Sequence, residues 1–174
     1  TEILGRVQSA DPKMFTGGKQ EQLVGDVSIC RAMMMYYLLH LYGPMPLILD
    51  PELVNNDEAE KDLVRPTLDE MCAWITTDLE RAIVNLPETV SEQGRYTADY
   101  ARFCLMKHCL NEGSHMNGYY QRALALYEEL KGSGRYSLFT TGTNPYVDLY
   151  KAANEFCPEI IMAQSNDPTG DGTD

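Results

Sequence analysis

The stretch Leu23–Ile48, LVGDVSICRAMMMYYLLHLYGPMPLI, determines the fold class of this chain. Its apolar residues recur three and four positions apart, which is the spacing of an α-helix. Between Met33 and Tyr42 only His40 is strongly polar, so the second half of the helix is predicted to be buried nearly all round. The apolar run is shorter than the roughly 20 residues that cross a bilayer. We therefore expect a core helix that begins near Lys19 and ends at Tyr42.

The end of this helix is marked by glycine and proline. Gly43 can adopt the left-handed conformation that caps a helix C-terminus, and Pro44 cannot continue a helix. Pro46 favours an extended conformation at Met45. The helix is therefore predicted to stop sharply and to continue as an extended segment.

Composition limits the classes of partner. The chain has 174 residues, enough for one domain with a hydrophobic core. Its formal net charge is −12, with only 14 Lys and Arg. Phosphate binding requires basic patches, so nucleic acid is excluded as the expected partner, as is adsorption to anionic lipid.

The five cysteines are an odd number and contain no Cys-x-x-Cys pair. Most lie in apolar helical contexts, which favours buried free thiols over a disulfide or a metal site. A reactive cysteine would make the protein a cytosolic thiol enzyme, and this function is one of the alternatives that the sequence leaves open. The cysteines are Cys30, Cys72, Cys104, Cys109 and Cys157.

The rest of the chain is predicted to be mostly helical. Residues 49–66 are acidic and broken by proline, which is typical of a solvated loop. Thr67 and Glu70 form a capping-box pattern that begins the next helix. Two shorter extended pieces are predicted near the C-terminus, at 136–138 and 159–163. The further helices expected from apolar periodicity span about 67–86, 97–111 and 119–131.

A weak internal repeat connects these helices. Arg81-Ala82-Ile83 recurs 41 positions later as Arg122-Ala123-Leu124, each in the middle of a predicted helix. Helix pairs that repeat at such spacing are typical of tetratricopeptide-like stacking. The predicted fold is all-α: tetratricopeptide-like helix-turn-helix repeats in an α-α superhelix, with long connecting loops and little β structure.

Seven short motifs, in order across about residues 20–163, resemble the SusD/RagB family of outer-membrane glycan-binding lipoproteins. Asp26 stands where the family has Glu, and Val27 where it has Ala. The motifs are Leu23-Val24-Gly25-Asp26 with Arg31-Ala32, Tyr42–Ile48, Arg65–Glu70, Gly94-Arg95-Tyr96-Thr97, Tyr119–Ala123, Gly134–Leu138, and Asn154 with Glu159-Ile160-Ile161.

The resemblance implies a non-catalytic protein that binds oligosaccharides such as starch-like glycans at the bacterial cell surface, for nutrient uptake. It implies a partner, the SusC-like TonB-dependent outer-membrane transporter, and a lipid anchor as the only membrane attachment. Family members are considerably longer. Residues 1–174 are therefore expected to be one helical repeat domain, the N-terminal scaffold part of a longer protein whose signal peptide and anchor cysteine are not in this chain.

No ligand-binding residue can be carried over from the family, so candidates rest on chemistry. Sugar rings stack on aromatic faces, and the chain has 11 Tyr and one Trp. Tyr119, Tyr146 and Tyr150 lie in or near predicted loops and are the candidate ligand-binding residues. Trp74 is expected to pack in the core. Arg31, Arg81 and Arg122 are expected to pair with acids between helices.

Catalysis and metal binding find little support in the sequence. The nucleophile-elbow, zincin and P-loop patterns are missing. Cys104 and His108 are four apart on one helix, but no second pair has metal-ligand spacing. The acidic residues 57–60 and Asp167–Asp174 lack EF-hand spacing, so neither is predicted to bind calcium. We expect no enzyme activity, cofactor or metal; the alternative function is a tetratricopeptide-type protein–protein interaction module.

Overall fold

The computed structural model describes residues 1–92 and 94–163, and over these residues it is helical without β-strands. This confirms the all-α, tetratricopeptide-like prediction. Its α-helices are α1 (Glu2–Ser9), α2 (Lys19–Tyr42), α3 (Asp57–Lys61), α4 (Leu68–Asn85), α5 (Ala98–Glu112), α6 (Tyr119–Gly132) and α7 (Pro145–Leu149). None of the helices in these two ranges combines the length and the apolar character needed to span a membrane.

The four long helices pack in the order of the chain, α2 on α4, α4 on α5 and α5 on α6. α4 and α5, and α5 and α6, are joined by short connections, as in helical repeats, whereas residues 43–67 separate α2 from α4. One hydrophobic core runs through all four helices. Its fully buried members include Ile29, Ile75, Leu79, Leu105 and Leu126.

The predicted helix starts are confirmed by their caps. Thr67 Oγ1 accepts a hydrogen bond from the Glu70 amide at 3.2 Å, and the Thr67 amide donates to Glu70 Oε2 at 2.7 Å. The Thr97 hydroxyl accepts from the Tyr100 amide at 3.1 Å and begins α5. Each cap satisfies backbone donors that have no partner inside the helix.

α2 ends at the predicted residue, although the ψ of Gly43 is −170° and the glycine does not adopt the left-handed helical cap that the sequence predicts. Gly43 has a φ of 76°, a conformation that favours glycine, and its amide donates to the Leu39 carbonyl at 2.9 Å. Arg65 Nη1 donates to the Pro44 carbonyl at 2.8 Å and holds the exit segment. Met45 and Leu47 then pack against the core.

The prediction that the second half of α2 is buried nearly all round is wrong. Met34, Tyr37, Leu41 and Tyr42 are between 54% and 71% exposed. Met35, Tyr36 and Leu39 face α4 and the core, but nothing in the described residues packs over the opposite side. We call Met34, Tyr37, Leu41 and Tyr42 the open face of α2.

Two connecting segments differ from the sequence prediction. Residues 49–66 contain α3, which the acidic composition concealed; the Asn56 side chain caps it by accepting from the Glu58 and Ala59 amides. The pieces 136–138 and 159–163 lie side by side without forming a strand. The Ser137 amide donates to the Pro158 carbonyl at 3.1 Å, which does not extend into a ladder.

Candidate functional site

An exposed aromatic pair occupies α7. Tyr146 and Tyr150 are four residues apart and each is 73% exposed, with ring centroids 5.5 Å apart and planes at 77°. Pro145 begins the helix at a position where its fixed φ is favourable. Two of the three tyrosines selected from the sequence are therefore adjacent, with ring surface open to a ligand.

Asp148 fixes this short helix in place. Its carboxylate accepts from the Asn144 amide at 3.4 Å and pairs with Lys151 at 2.5 Å. These hydrogen bonds, that from Lys151 foremost, hold the pKa of Asp148 below its usual value. The Asn154 side chain donates to the Asp148 carbonyl at 2.7 Å. The tyrosine pair is thus presented on an anchored segment.

The third tyrosine, Tyr119, is only partly open. A hydrogen bond of 2.9 Å joins its hydroxyl to Thr76 Oγ1, and its ring packs edge-on to His108 with centroids 5.7 Å apart. Burial raises the pKa of this phenol. Tyr119 therefore packs mainly against the neighbouring helices α4 and α5.

Trp74 packs against the core and also lines a small cavity of about 210 Å³ between α2 and α4. The wall of this cavity includes a buried ion-pair network. Asp78, which is 1% exposed, accepts from Arg31 Nε at 2.6 Å and Arg31 Nη2 at 2.8 Å. Arg81 donates to the same carboxylate. Arg31 thus pairs with an acid between helices, as expected, whereas Arg81 pairs with Asp78 within α4.

A second network, which sequence reasoning missed, lies at the start of α5. Asp99 is 1% exposed and accepts from Arg102 at 2.8 Å and Arg135 at 2.7 Å. Both arginines also bind Glu88. Burial alone would raise the pKa of Asp99, but hydrogen bonds from Arg135, Tyr136 and Arg102 outweigh it and lower the pKa. Arg122, by contrast, makes longer contacts to Glu80 at 3.6 Å and Glu129 at 3.9 Å.

The three buried cysteines do not resemble catalytic thiols. Burial raises the pKa of Cys72 to about 12, with the Glu112 charge adding to it, and the pKa of Cys104 and Cys109 to about 11. An activated thiol requires a lowered pKa. All five cysteines are free, but Cys30 is exposed and Cys157 half-exposed, so the expectation of burial holds for three of them.

The structure also describes the first of the two acidic segments that were considered for calcium binding. In the acidic segment, Glu58 pairs with Lys61 at 2.7 Å along α3. Asp167–Asp174 lie outside the described residues. The cavity beside this segment, about 590 Å³ between α1 and residues 50–55, has no aromatic ring in its lining.

Gly25 belongs to the first of the seven motifs that resemble the SusD/RagB family, and it allows two helices to pack closely. A Cβ at this position would lie 2.7 Å from Leu86 Cγ, so only glycine allows α2 this close to the end of α4. Arg31, in the same motif, pairs with Asp78. The residues that carry the resemblance therefore build the scaffold and do not form an open ligand site.

Solved structures similar to this one share its helical arrangement. A laminarin-binding SusD-like protein is 24% identical with a TM-score of 0.72; the match covers 91% of this chain and 33% of that one. A SusD-like protein from Bacteroides fragilis NCTC 9343 is 22% identical with a TM-score of 0.74, over 88% of this chain and 29% of that one. A structure solved with a xylogluco-oligosaccharide is 25% identical with a TM-score of 0.69; the match covers 98% of this chain and 33% of that one.

The chain thus spans about a third of the length of these proteins. None of the curated proteins matches it. A family model for SusD-like proteins, described as starch-binding and associating with the outer membrane, matches residues 2–103. This match covers more than half of the chain and includes α2, α4 and the motifs that pack them together. The chain belongs to the SusD-like family.

Proposed function

We propose that this protein binds glycans at the bacterial cell surface and takes part in nutrient uptake without catalysing a reaction. The observation that carries the proposal is the family match over residues 2–103. It is supported by similar structures of a laminarin-binding protein and of a protein solved with a xylogluco-oligosaccharide. The buried thiols, with their raised pKa values, favour binding over catalysis.

Tyr146 and Tyr150 are the proposed ligand-binding residues. Their rings are exposed and held on α7, so that little ordering of the side chains is required when a sugar ring stacks on them. Tyr119 is a weaker candidate because its hydroxyl already binds Thr76. CH–π stacking gives affinity, and nearby polar groups such as Asn144 give selectivity among sugars.

The proposal extends to the whole protein. Residues 1–174 form its N-terminal helical scaffold, and the rest of a longer chain covers the open face of α2. The support for this is the length of the similar proteins, about three times that of this chain, and the apolar character of the uncovered face. The longer protein is a lipid-anchored outer-membrane protein that works with a SusC-like TonB-dependent transporter.

Calorimetry on the full-length protein with laminarin, xyloglucan and starch tests glycan binding. We expect one of these or a related glucan to bind, and Tyr146→Ala with Tyr150→Ala to weaken binding at least tenfold, since stacking on an aromatic ring is worth about 1 kcal/mol or more. Tyr127→Ala is the matched control, because Tyr127 is an exposed tyrosine on α6.

Failure to bind any polysaccharide, together with clear binding of peptides, would instead favour the protein–protein interaction module. Glycan binding that is unchanged in the double variant would retain the function but refute the tyrosine site. The transporter is tested separately, by asking whether the protein co-purifies with the TonB-dependent transporter encoded beside it.

A further inference from the structure

Side chains of types that bind metals, from α2, α4, α5 and the turn before α6, meet around one carboxylate at one end of the scaffold. Glu112, the last residue of α5, is 7% exposed. Its Oε1 lies 3.3 Å from His40 Nε2 at the end of α2, and its Oε2 lies 3.3 Å from His115 Nε2 in the turn before α6. Cys72 of α4 completes the group: its Sγ, a Glu112 oxygen and a His115 nitrogen all lie within 4.8 Å of one another.

These distances suit a small divalent cation. Zinc binds sulfur at about 2.3 Å and nitrogen or oxygen at about 2.0–2.2 Å, so tetrahedral ligand atoms lie about 3.3–3.8 Å apart. The His115–Glu112 distance of 3.3 Å already has this value. A side-chain shift of about 1 Å brings the remaining atoms of the Cys72 group to the same spacing.

The contact of His40 with its own helix orients its ring. Its Nδ1 lies 2.9 Å from the Tyr36 carbonyl oxygen, which can only accept, so Nδ1 carries the proton. Its Nε2 is turned toward Glu112 Oε1 at 3.3 Å, so that His40 helps to orient the carboxylate. Carboxylates that bind a metal are usually held in this way by a neighbouring polar group.

The site has a buried and an open side. Cys72 and Glu112 are buried, whereas the side chains of His40 and His115 are each about one-third exposed and give an ion access from solvent. His108, one turn before Glu112, contacts the Cys72 carbonyl through Nε2 at 3.2 Å and holds this part of α4 in place. His108 therefore supports the group from behind, through the Cys72 backbone, and is not one of its ligands.

We propose that Cys72, Glu112 and His115 bind Zn²⁺, with His40 on the second oxygen of Glu112. On binding, the S–H bond of Cys72 breaks, a zinc–sulfur bond forms and the proton passes to solvent. One thiolate and one carboxylate then balance the charge of the ion. The three protein ligands leave the fourth position of a tetrahedral ion to water on the open side of the site. The ion links α4, α5 and the turn before α6, and α2 joins them through the contact of His40 with Glu112.

Cobalt and zinc titrations of the tag-free, chelator-treated chain test this. We expect one equivalent of Co²⁺ to give a thiolate-to-cobalt charge-transfer band in the near ultraviolet, and Zn²⁺ to displace it and raise the Tm. Cys72→Ser is expected to abolish the band. His115→Gln and Glu112→Gln are expected to weaken Zn²⁺ binding at least tenfold. Cys104→Ser, which removes another buried thiol of the core, is expected to behave like the wild type.

Two results would overturn the site. One is a wild-type chain that binds no Co²⁺ through sulfur. The other is His115→Gln binding Zn²⁺ as tightly as the wild type while its far-ultraviolet circular dichroism is unchanged. His115 lies in an exposed turn, so this second variant tests the ligand role even where Cys72→Ser folds poorly.

Discussion

At the scale of single residues, two buried aspartates organise the helix contacts. Asp78 joins α2 to α4 through Arg31, and Asp99 joins the start of α5 to the segment after α6 through Arg135. Each carboxylate accepts from two arginines, so its charge is compensated inside the protein. A buried carboxylate left without these partners would be strongly destabilising. Each aspartate and its two arginines therefore stabilise the fold only together.

Asp99 gives a pH-dependent prediction. Its pKa is lowered in the folded protein, so between that pKa and the unfolded value of about 3.9 the unfolded state binds more protons. The stabilisation is complete well above pH 4 and is lost as the pH falls through the folded pKa. Asp99→Asn is expected to lower the free energy of unfolding by about 2 kcal/mol at pH 7 and by much less in strong acid.

Urea denaturation at a series of pH values measures this difference. Asp62→Asn, at an exposed position after α3, is the control and is expected to follow the wild-type curve. If Asp99→Asn lowers the free energy of unfolding equally at pH 7 and at pH 3, the stabilising role of the ionised carboxylate is contradicted.

At the scale of the elements, α2 depends on close packing at one glycine. Leu86, just after α4, fills the space that a side chain at residue 25 would need. The interhelical distance there is set by the absence of a Cβ, and the same helix ends at Gly43 with a positive φ. Two glycines thus determine how near α2 lies to α4 and where it stops.

Gly25→Ala is expected to destabilise the protein by about 1–3 kcal/mol, because overpacking outweighs the gain in helix propensity. Gly132→Ala is the matched control: it lies in α6 with open space around its Cβ position, and it is expected to be neutral or slightly stabilising. The measurement is chemical denaturation. In a double-mutant cycle with Leu86→Ala, the combined loss is expected to be less than the sum, and strict additivity would refute the contact.

At the scale of the whole molecule, the four long helices form one continuous core, yet one side of α2 is uncovered in the described residues. Its aromatic and aliphatic side chains are contiguous along the helix. An exposed apolar surface of this kind favours association with other apolar surfaces in water.

The 174-residue chain is therefore expected to self-associate and to bind a hydrophobic dye. Met34→Glu with Leu41→Glu is expected to reduce both while leaving the helix content unchanged, as measured by sedimentation, dye fluorescence and circular dichroism. Leu124→Glu, an exposed leucine on α6, is the control. A wild-type chain that stays monomeric and binds no dye would contradict the prediction.

The sequence by itself determined the four long helices, the cap that begins α4 and the family. These features depend on neighbours within a few positions: the Thr67–Glu70 box, the Gly43-Pro44 stop and the helical spacing of apolar residues are all local. α3 was missed because acidic composition is equally typical of a loop, and the five-residue α7, which carries Tyr146, was missed because it is too short for a helical period to show. The exposed pair Tyr146 and Tyr150 could be selected from sequence, but the hydrogen bonds that fix it around Asp148 could not.

The tertiary structure alone decided which side of α2 is open, which acids the arginines bind and which side chains meet at Glu112. The Arg31–Asp78 pair spans 47 positions, and the His40–Glu112 contact joins two helices that the sequence gives no reason to associate. Periodicity states that a face is apolar, but not whether another element covers it. That depends on the packing of distant segments, because burial is a property of the assembled helices and not of any one of them.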